Sequence, residues 1–523
     1  MMKPVTLATT PAVCCRWNTG FSLCLGLRRR GTVRRASGSF GGAGFSLLIF
    51  QSLLQLARAS KNRRGPQTFY DLVVQASVCG FAALLLAATT AHAAGPRNPL
   101  IEKIVGEVSQ ARIGASMQRL EAFGTRHVLS SQTDPEKGIG AAERWIVKEL
   151  KSYSPRLKVT LDTFPVKKTT RIVRDTELTN IIAVLPGKLD PDRYVVVSAH
   201  YDSLNLVRKP GMSPTDLNSV DWEKSADSPD APGVVDDGSG TAAVLELARV
   251  MSQYDFDKSI MFIAFSGEEM GLVGSKEYAK KAHDKKLNIE AVLNNDIIGS
   301  DVSGNGHAAN GVLNVFSADP VDSPSRTLAR YFKEAAERYV PDMQVDLVFR
   351  QDRFARNGDH SSFLAEGFNA VRLTTAAEFF DHQHTPRDTF ANASVPYTTQ
   401  AAKMNAAVLA SLALAPKPPV VTREITREGK KQTVANLSRG KSGYDAVLKW
   451  NQPQPESDLA GYAVVLRSTT APTWEREIYV GDAKEYTIPN LSIDNIVLGV
   501  RAIDKDGNPS LVAAYVQGTL SEQ

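Results

Sequence analysis

The sequence predicts an α/β fold, a mixed and largely parallel central sheet flanked by helices, followed by a small all-β sandwich. Three observations carry this. Between about Pro99 and Leu414, helical spacing alternates with short apolar runs. Those runs are continuous in Val, Ile, Leu and Phe rather than alternating with polar residues, the mark of strands covered on both faces. After the Pro-rich stretch "LAPKPPVVTRE" (414–424) the texture changes to short alternating strands punctuated by turn residues.

The first segment is a leader. Residues 1–93 carry 11 Lys/Arg against one acid, Asp71, which leaves 50 basic and 55 acidic residues for the rest, a net of −5. The overall +5 therefore does not describe the body of the protein, and a nucleic-acid partner is not expected. At about 61–93, basic residues precede an apolar stretch (Leu72 to Ala88) and a small-x-small site, Ala91-His92-Ala93. This reads as a signal peptide, and hence as a secreted or periplasmic protein; left uncleaved, the same stretch would be a membrane anchor. All four cysteines (Cys14, Cys15, Cys24, Cys79) lie before that cut. The mature chain has no thiol for a disulfide, a nucleophile or a metal, so any metal site must be built from His, Asp and Glu.

The second segment, 99–414, opens with an amphipathic helix marked by Ile139, Ala142, Trp145, Ile146 and Leu150. Strands follow at "NIIAVL" (180–185), "YVVVSAH" (194–200), "IMFIAFS" (260–266), "AVLNNDIIG" (291–299) and "AVRLTT" (370–375). The third segment, 420–518, resembles a fibronectin type III domain in the order Trp450, Tyr462, Leu491, "VLGVRAIDKDGNPS", and holds no cluster of ionisable residues.

Chemistry concentrates where the strands of the second segment end. "VVVSAHYDSL" gives His200 and Asp202, and "APGVVDDGSGTAAV" places Asp236 and Asp237 in a Gly-rich loop opening a helix near Thr241. "FSGEE" gives Glu268 and Glu269, "NNDIIG" gives Asp296, and "FFDHQHTPRDTF" gives His382, His384 and Asp388. Taken singly, each has a structural explanation such as a helix cap, a solvated turn or a bonded strand-end histidine. Sites in open α/β sheets form beyond the carboxyl ends of the strands, which would gather all of them into one crevice. Two His and several carboxylates without Cys suit Zn²⁺, and one shared Asp can bridge two ions. A base that is not itself a ligand is then needed to take a proton from water. Two adjacent glutamates at one strand end can divide those tasks.

The ordered set H-x-D, P-G-x-x-D-D-x-S-G, G-E-E, D-x-I-G and H-T-x-x-D-T, with "LEAFGTRH" (120–127) upstream, resembles the co-catalytic di-zinc aminopeptidases of the leucyl aminopeptidase and aminopeptidase Y type over about residues 100–412. The resemblance implies the zinc exopeptidase fold and two Zn²⁺ per chain. It assigns His200, Asp236 and Asp296 to one ion, and Asp236, Glu269 and His384 to the other. It makes Glu268 the general base and Asp202 the residue that fixes the His200 ring. His382 competes with His384, but only His384 heads the H-T-x-x-D-T run. Gln383 stands where some relatives carry a Tyr that helps the oxyanion. "GDHSSF" (358–363) resembles a family loop near the substrate and makes Asp359 and His360 candidates for the substrate pocket. The expected function is release of N-terminal residues from peptide or protein substrates. Glutaminyl cyclase or carboxypeptidase activity on the same fold, and a non-catalytic binding or adhesion ectodomain, are the alternatives.

Overall fold

The computed structural model describes residues 97–212, 217–453 and 456–516, together with the strands β1 (Cys14–Arg16) and β2 (Ser22–Cys24). The chain divides into two compact units, Met1–Ala91 and His92–Gln523. In the first, β1 and β2 pair antiparallel; the leader expected at 61–93 lies outside the described residues. Among the described residues no helix is long and apolar enough to cross a membrane.

The second unit is organised by an eight-stranded sheet of order β3-β4-β6-β5-β7-β10-β8-β9. Its strands are β3 (Lys158–Val166), β4 (Thr176–Leu185), β5 (Asp190–His200), β6 (Lys258–Phe265), β7 (Asn288–Asn295), β8 (Val312–Phe316), β9 (Gln344–Val348) and β10 (Ala370–Thr375). The four central strands β6, β5, β7 and β10 run parallel. Towards the edges β3, β4 and β8 join antiparallel, and β9 runs parallel to β8. The central strands are the continuous apolar runs of the sequence. The edge strands β3 and β9, and the short strand β8 beside β9, were not singled out there, because strands at or near an edge mix polar with apolar residues.

Alternation along each central strand feeds two cores. Val195, Val197, Ile260 and Phe262 enter a large core on one face, and Val196, Met261, Ile263 and Phe265 a smaller one on the other. The helices are α1 (Pro99–Gly106), α2 (Gln110–Ala122), α3 (Gly138–Tyr153), α4 (Trp222–Ala226), α5 (Ser239–Met251), α6 (Val273–Asp284), α7 (Pro324–Tyr339), α8 (His360–Ala365) and α9 (Val395–Leu414). Helices α1–α3, α5, α7 and α9 cover the large core, and α6 and α8 the small one. Helix α9 is buried over most of its length, which its Ala-rich, hardly amphipathic sequence permits.

Beyond α9, β11 (Thr422–Arg427) and β12 (Lys430–Ala435) form an exposed ribbon. A three-stranded sheet follows, β13 (Leu437–Ser438), β14 (Ala446–Lys449) and β17 (Glu485–Ile488). A four-stranded sheet joins β15 (Leu459–Ser468), β16 (Arg476–Gly481), β18 (Ile496–Asp504) and β19 (Ala513–Ala514) in the order β16-β15-β18-β19. Trp450, Tyr462, Val464, Leu498 and Val500 form their common core. This part is docked firmly on α7. Arg501 pairs with Glu334 at 2.8 Å, Arg330 Nε donates to Pro472 O at 2.8 Å, and Tyr331 donates to Pro509 O at 3.1 Å. Leu511 enters the large core itself.

Candidate metal centre

Strands β5, β6 and β7 are parallel neighbours, so their carboxyl ends open on the same edge of the sheet. His200 is the last residue of β5, Glu268 and Glu269 follow β6 through a turn at Gly267, and Asp296 follows β7. Asp236 comes from the loop entering α5, and His384 from the loop between β10 and α9. The turn after β6, rather than strand alternation, brings both glutamates to one side.

These residues assemble into two groups of potential ligands, His200 with Asp236 and Asp296, and Asp236 with Glu269 and His384. His200 Nε2 lies 3.2 Å from Asp236 Oδ1 and 4.0 Å from Asp296 Oδ1. His384 Nε2 lies 3.2 Å from Asp236 Oδ2 and 3.0 Å from Glu269 Oε2. Asp236 thus turns one oxygen to each group. His200, Asp236, Glu269 and Asp296 are buried, whereas the His384 side chain is 26% exposed and marks the open side.

Asp202 holds both halves of the site. His200 Nδ1 donates to its carbonyl at 3.2 Å and lies 3.5 Å from its Oδ1, which leaves Nε2 directed at Asp236. Its two carboxylate oxygens accept the backbone N–H groups of Glu268 and Glu269 at 3.2 and 3.3 Å. Glu268 is half-buried. Burial and the neighbouring acids Asp296, Glu269 and Asp359 push its carboxyl well above the usual range, against the pull of His200.

The donor set fits divalent cations. Burial alone would lower His200, yet the facing carboxylates of Asp202 and Asp236 hold the ring well above its ordinary value. Burial likewise raises Glu269 and Asp237. Glu269 Oε1 and His200 Nε2 have no hydrogen-bond partner. Such an array of buried acceptors is costly unless cations occupy it. Nitrogen and oxygen donors without sulfur suit Zn²⁺.

His382 joins neither group; its ring stacks on Phe379 at 3.9 Å. Gln383 is spent on Glu378 and Arg356, at 3.0 and 3.1 Å. Asp359, at the start of α8, is buried with neither carboxylate oxygen hydrogen-bonded, and burial raises it to about 7. His360 is fully buried and donates Nε2 to Gln351 O at 2.8 Å, which commits it to the turn.

Four further residues build the site: the sequence reading placed Asp237 and Asp388 in the crevice without giving them a role, and it did not single out Arg126 or Arg372. Arg126, completely buried, donates to Tyr201 O (2.7 Å), Leu120 O (3.1 Å), Pro232 O (2.6 Å) and Gly233 O (2.8 Å), clamping the end of β5 to the loop of Asp236. Asp388 grips the same loop from the other side, accepting the N–H groups of Val235 (2.7 Å) and Asp236 (3.0 Å). Arg372, on β10, lies 2.6 Å from Asp296 Oδ2 and leaves Oδ1 for the ligand group. Asp237 accepts three backbone N–H groups around the centre. The available signals were an arginine inside an apolar strand run, and the Asp of H-T-x-x-D-T.

A family model described as Peptidase family M28 matches residues 180–410, which contain both ligand groups. A "Probable zinc metalloprotease" of Pyricularia oryzae is 37% identical over 445 residues, covering 78% of this chain and 83% of that protein. One of Leptosphaeria maculans is 35% identical over 435 residues, covering 77% and 94%. Among solved structures, the Legionella pneumophila LapA aminopeptidase aligns with 21% identity and a TM-score of 0.44, covering 60% of this chain and 74% of that one. An aminopeptidase from Aneurinibacillus sp. strain AM-1 aligns with 18% identity and a TM-score of 0.44, covering 59% and 95%. The extent of the match to full-length relatives places the chain: it belongs to peptidase family M28 and is a peptide-bond hydrolase.

Proposed function

We propose that this chain is an exported zinc-dependent aminopeptidase that holds two Zn²⁺ ions and releases N-terminal residues from peptides. The observation that carries the reading is the pair of ligand groups sharing Asp236, with Glu268 beside them and outside both. His200, Asp236 and Asp296 would hold one ion, and Asp236, Glu269 and His384 the other. Bound there, the ions would polarise the scissile carbonyl and make water more acidic. Glu268 takes the proton from the attacking water and delivers it to the departing amine as the C–N bond breaks. Asp202, through the backbone of Glu268 and the ring of His200, keeps the base and a ligand in register. Asp359 supplies a buried carboxyl group without a hydrogen-bond partner beside the centre, suited to pairing with a free terminal ammonium group.

The leader at about 61–93 supports export, to the periplasm or the medium, with membrane anchoring if it stays uncleaved. Residues 99–414 form the peptidase domain. Residues 420–518 are a fibronectin type III-like module, a reading supported by the three- and four-stranded sheets around Trp450 and Tyr462.

The test is a panel of aminoacyl-nitroanilides and their N-acetylated counterparts, offered to residues 94–523 before and after chelation and on return of Zn²⁺. Zinc-dependent turnover of the free compounds alone is expected. Turnover of blocked compounds, or none at all by a folded, zinc-loaded chain, would sink the aminopeptidase reading.

A further inference from the structure

Asp237, next to the shared Asp236, is completely buried, and its carboxylate is turned to the backbone of other segments. Oδ2 accepts the N–H of His200 at 3.3 Å. Oδ1 accepts the N–H of Ile297 at 3.2 Å and of Gly240 at 3.0 Å. His200 is itself a ligand of the first group, Ile297 follows its ligand Asp296, and Asp237 follows its ligand Asp236. One carboxylate therefore ties together the three chain segments that carry that group.

Two backbone features show that the site is built around this carboxylate. Ile297 has φ +63°, a conformation that a β-branched residue rarely adopts, and there it presents its N–H to Asp237. Gly240 packs directly beneath the carboxylate, where a Cβ would land on its oxygens. The second group is held from elsewhere: Asp388 accepts the N–H of Asp236, Asp202 accepts the N–H of Glu269, and Leu206 donates to His384 O at 2.9 Å.

We propose that Asp237 is the positioning residue of the His200–Asp236–Asp296 site alone, so that its loss weakens one metal ion and spares the ion at Asp236–Glu269–His384. This rests on the two-ion reading above. Asp237→Asn keeps the shape but sets an NH₂ group against one or more of the N–H donors. Gly240→Ala leaves Asp237 in place and pushes a methyl group into its carboxylate.

The full chain, stripped by chelation, is titrated with Zn²⁺ and its ions are counted by native mass spectrometry, for the wild type and both variants. The wild type should take two ions. Each variant should keep one ion at an affinity found in the wild type and bind the other about 10–100-fold more weakly, the range for loss of a residue that orients a ligand. Anomalous diffraction should place the retained ion among Asp236, Glu269 and His384. Two ions at wild-type affinity in both variants, or equal weakening of both ions, overturns the proposal. Circular dichroism checks the fold first, and its loss in both variants assigns Asp237 to folding and also overturns it. A wild type that binds fewer than two ions refutes the two-ion reading instead.

Discussion

Replacing Arg372 by Met should destabilise the metal-free protein far more than the loaded one. The guanidinium is completely buried, 2.6 Å from Asp296 Oδ2 and 3.5 Å from Asp352 Oδ2. Asp296 and Asp352 are also buried. Asp352 keeps Arg353 at 3.1 Å, but removing the Arg372 cation strands the Asp296 carboxylate, and breaking a buried ion pair in this way costs about 3–5 kcal/mol. The unit carrying it spans His92–Gln523, so at about 2.1 cal/mol/K per residue its unfolding entropy is about 0.9 kcal/mol/K. The expected fall in Tm is about 3–6 °C for the chelated protein. With Zn²⁺ present, an ion at the first group gives Asp296 a second counter-charge, and the fall should be smaller. Differential scanning calorimetry on both proteins, with chelator and with Zn²⁺, reads this directly. A fall below about 1 °C in chelator, or equal falls in the two conditions, would refute the role of Arg372 as counter-charge to a ligand.

Two other perturbations test separate parts of the account. Asp202→Asn leaves one amide group facing the N–H of Glu268 or Glu269 and weakens the hold on His200; metal titration should show about 10–100-fold lower affinity, and unchanged binding would deny Asp202 its orienting role. Asp257, half-buried far from the centre, is raised to about 6 by burial and by Asp458 and Asp504, against Lys258. Its folded value lies above its ordinary one, so between about pH 4 and 6 the folded state binds more protons than the unfolded chain, and stability falls as pH rises through that window. Asp257→Asn should therefore raise Tm at pH 7 and do little at pH 4.5, and a gain that is the same at both would contradict the assignment.

Three of the candidate ligands, His200, Glu269 and Asp296, were legible because a charged residue there interrupts an apolar strand end. Asp236 and His384 lie in loops and were legible from the Gly-rich run before α5 and from H-T-x-x-D-T. Local sequence was enough to flag them, and the family resemblance of the ordered motifs supplied their grouping. The residues that hold them were harder to read. Arg372 lies mid-strand in "AVRLTT", where charge suggests an exposed position; its burial becomes evident only once β10 is seen beside β7, with Asp296 at the end of that strand. Arg126 bonds to carbonyls, which have no side-chain signature, and two of its partners are more than 100 residues away. Sheet order was not legible either, because β6 lies between β4 and β5 and β10 between β7 and β8, and such crossovers are set by packing over long separations. The docking of the C-terminal sheets on α7 depends on Arg501 and Glu334, two residues that look solvated in the sequence.

The central claim is that Glu268 moves the proton while Glu269 serves as ligand. It is tested most directly by the zinc-loaded Glu268→Gln protein, with ion content and turnover of a good aminoacyl-nitroanilide measured on the same sample. The account predicts wild-type ion content and a kcat lower by about 10²–10⁴-fold, the usual contribution of a general base. Turnover within a few-fold of wild type, or loss of an ion from the Gln protein, would contradict it.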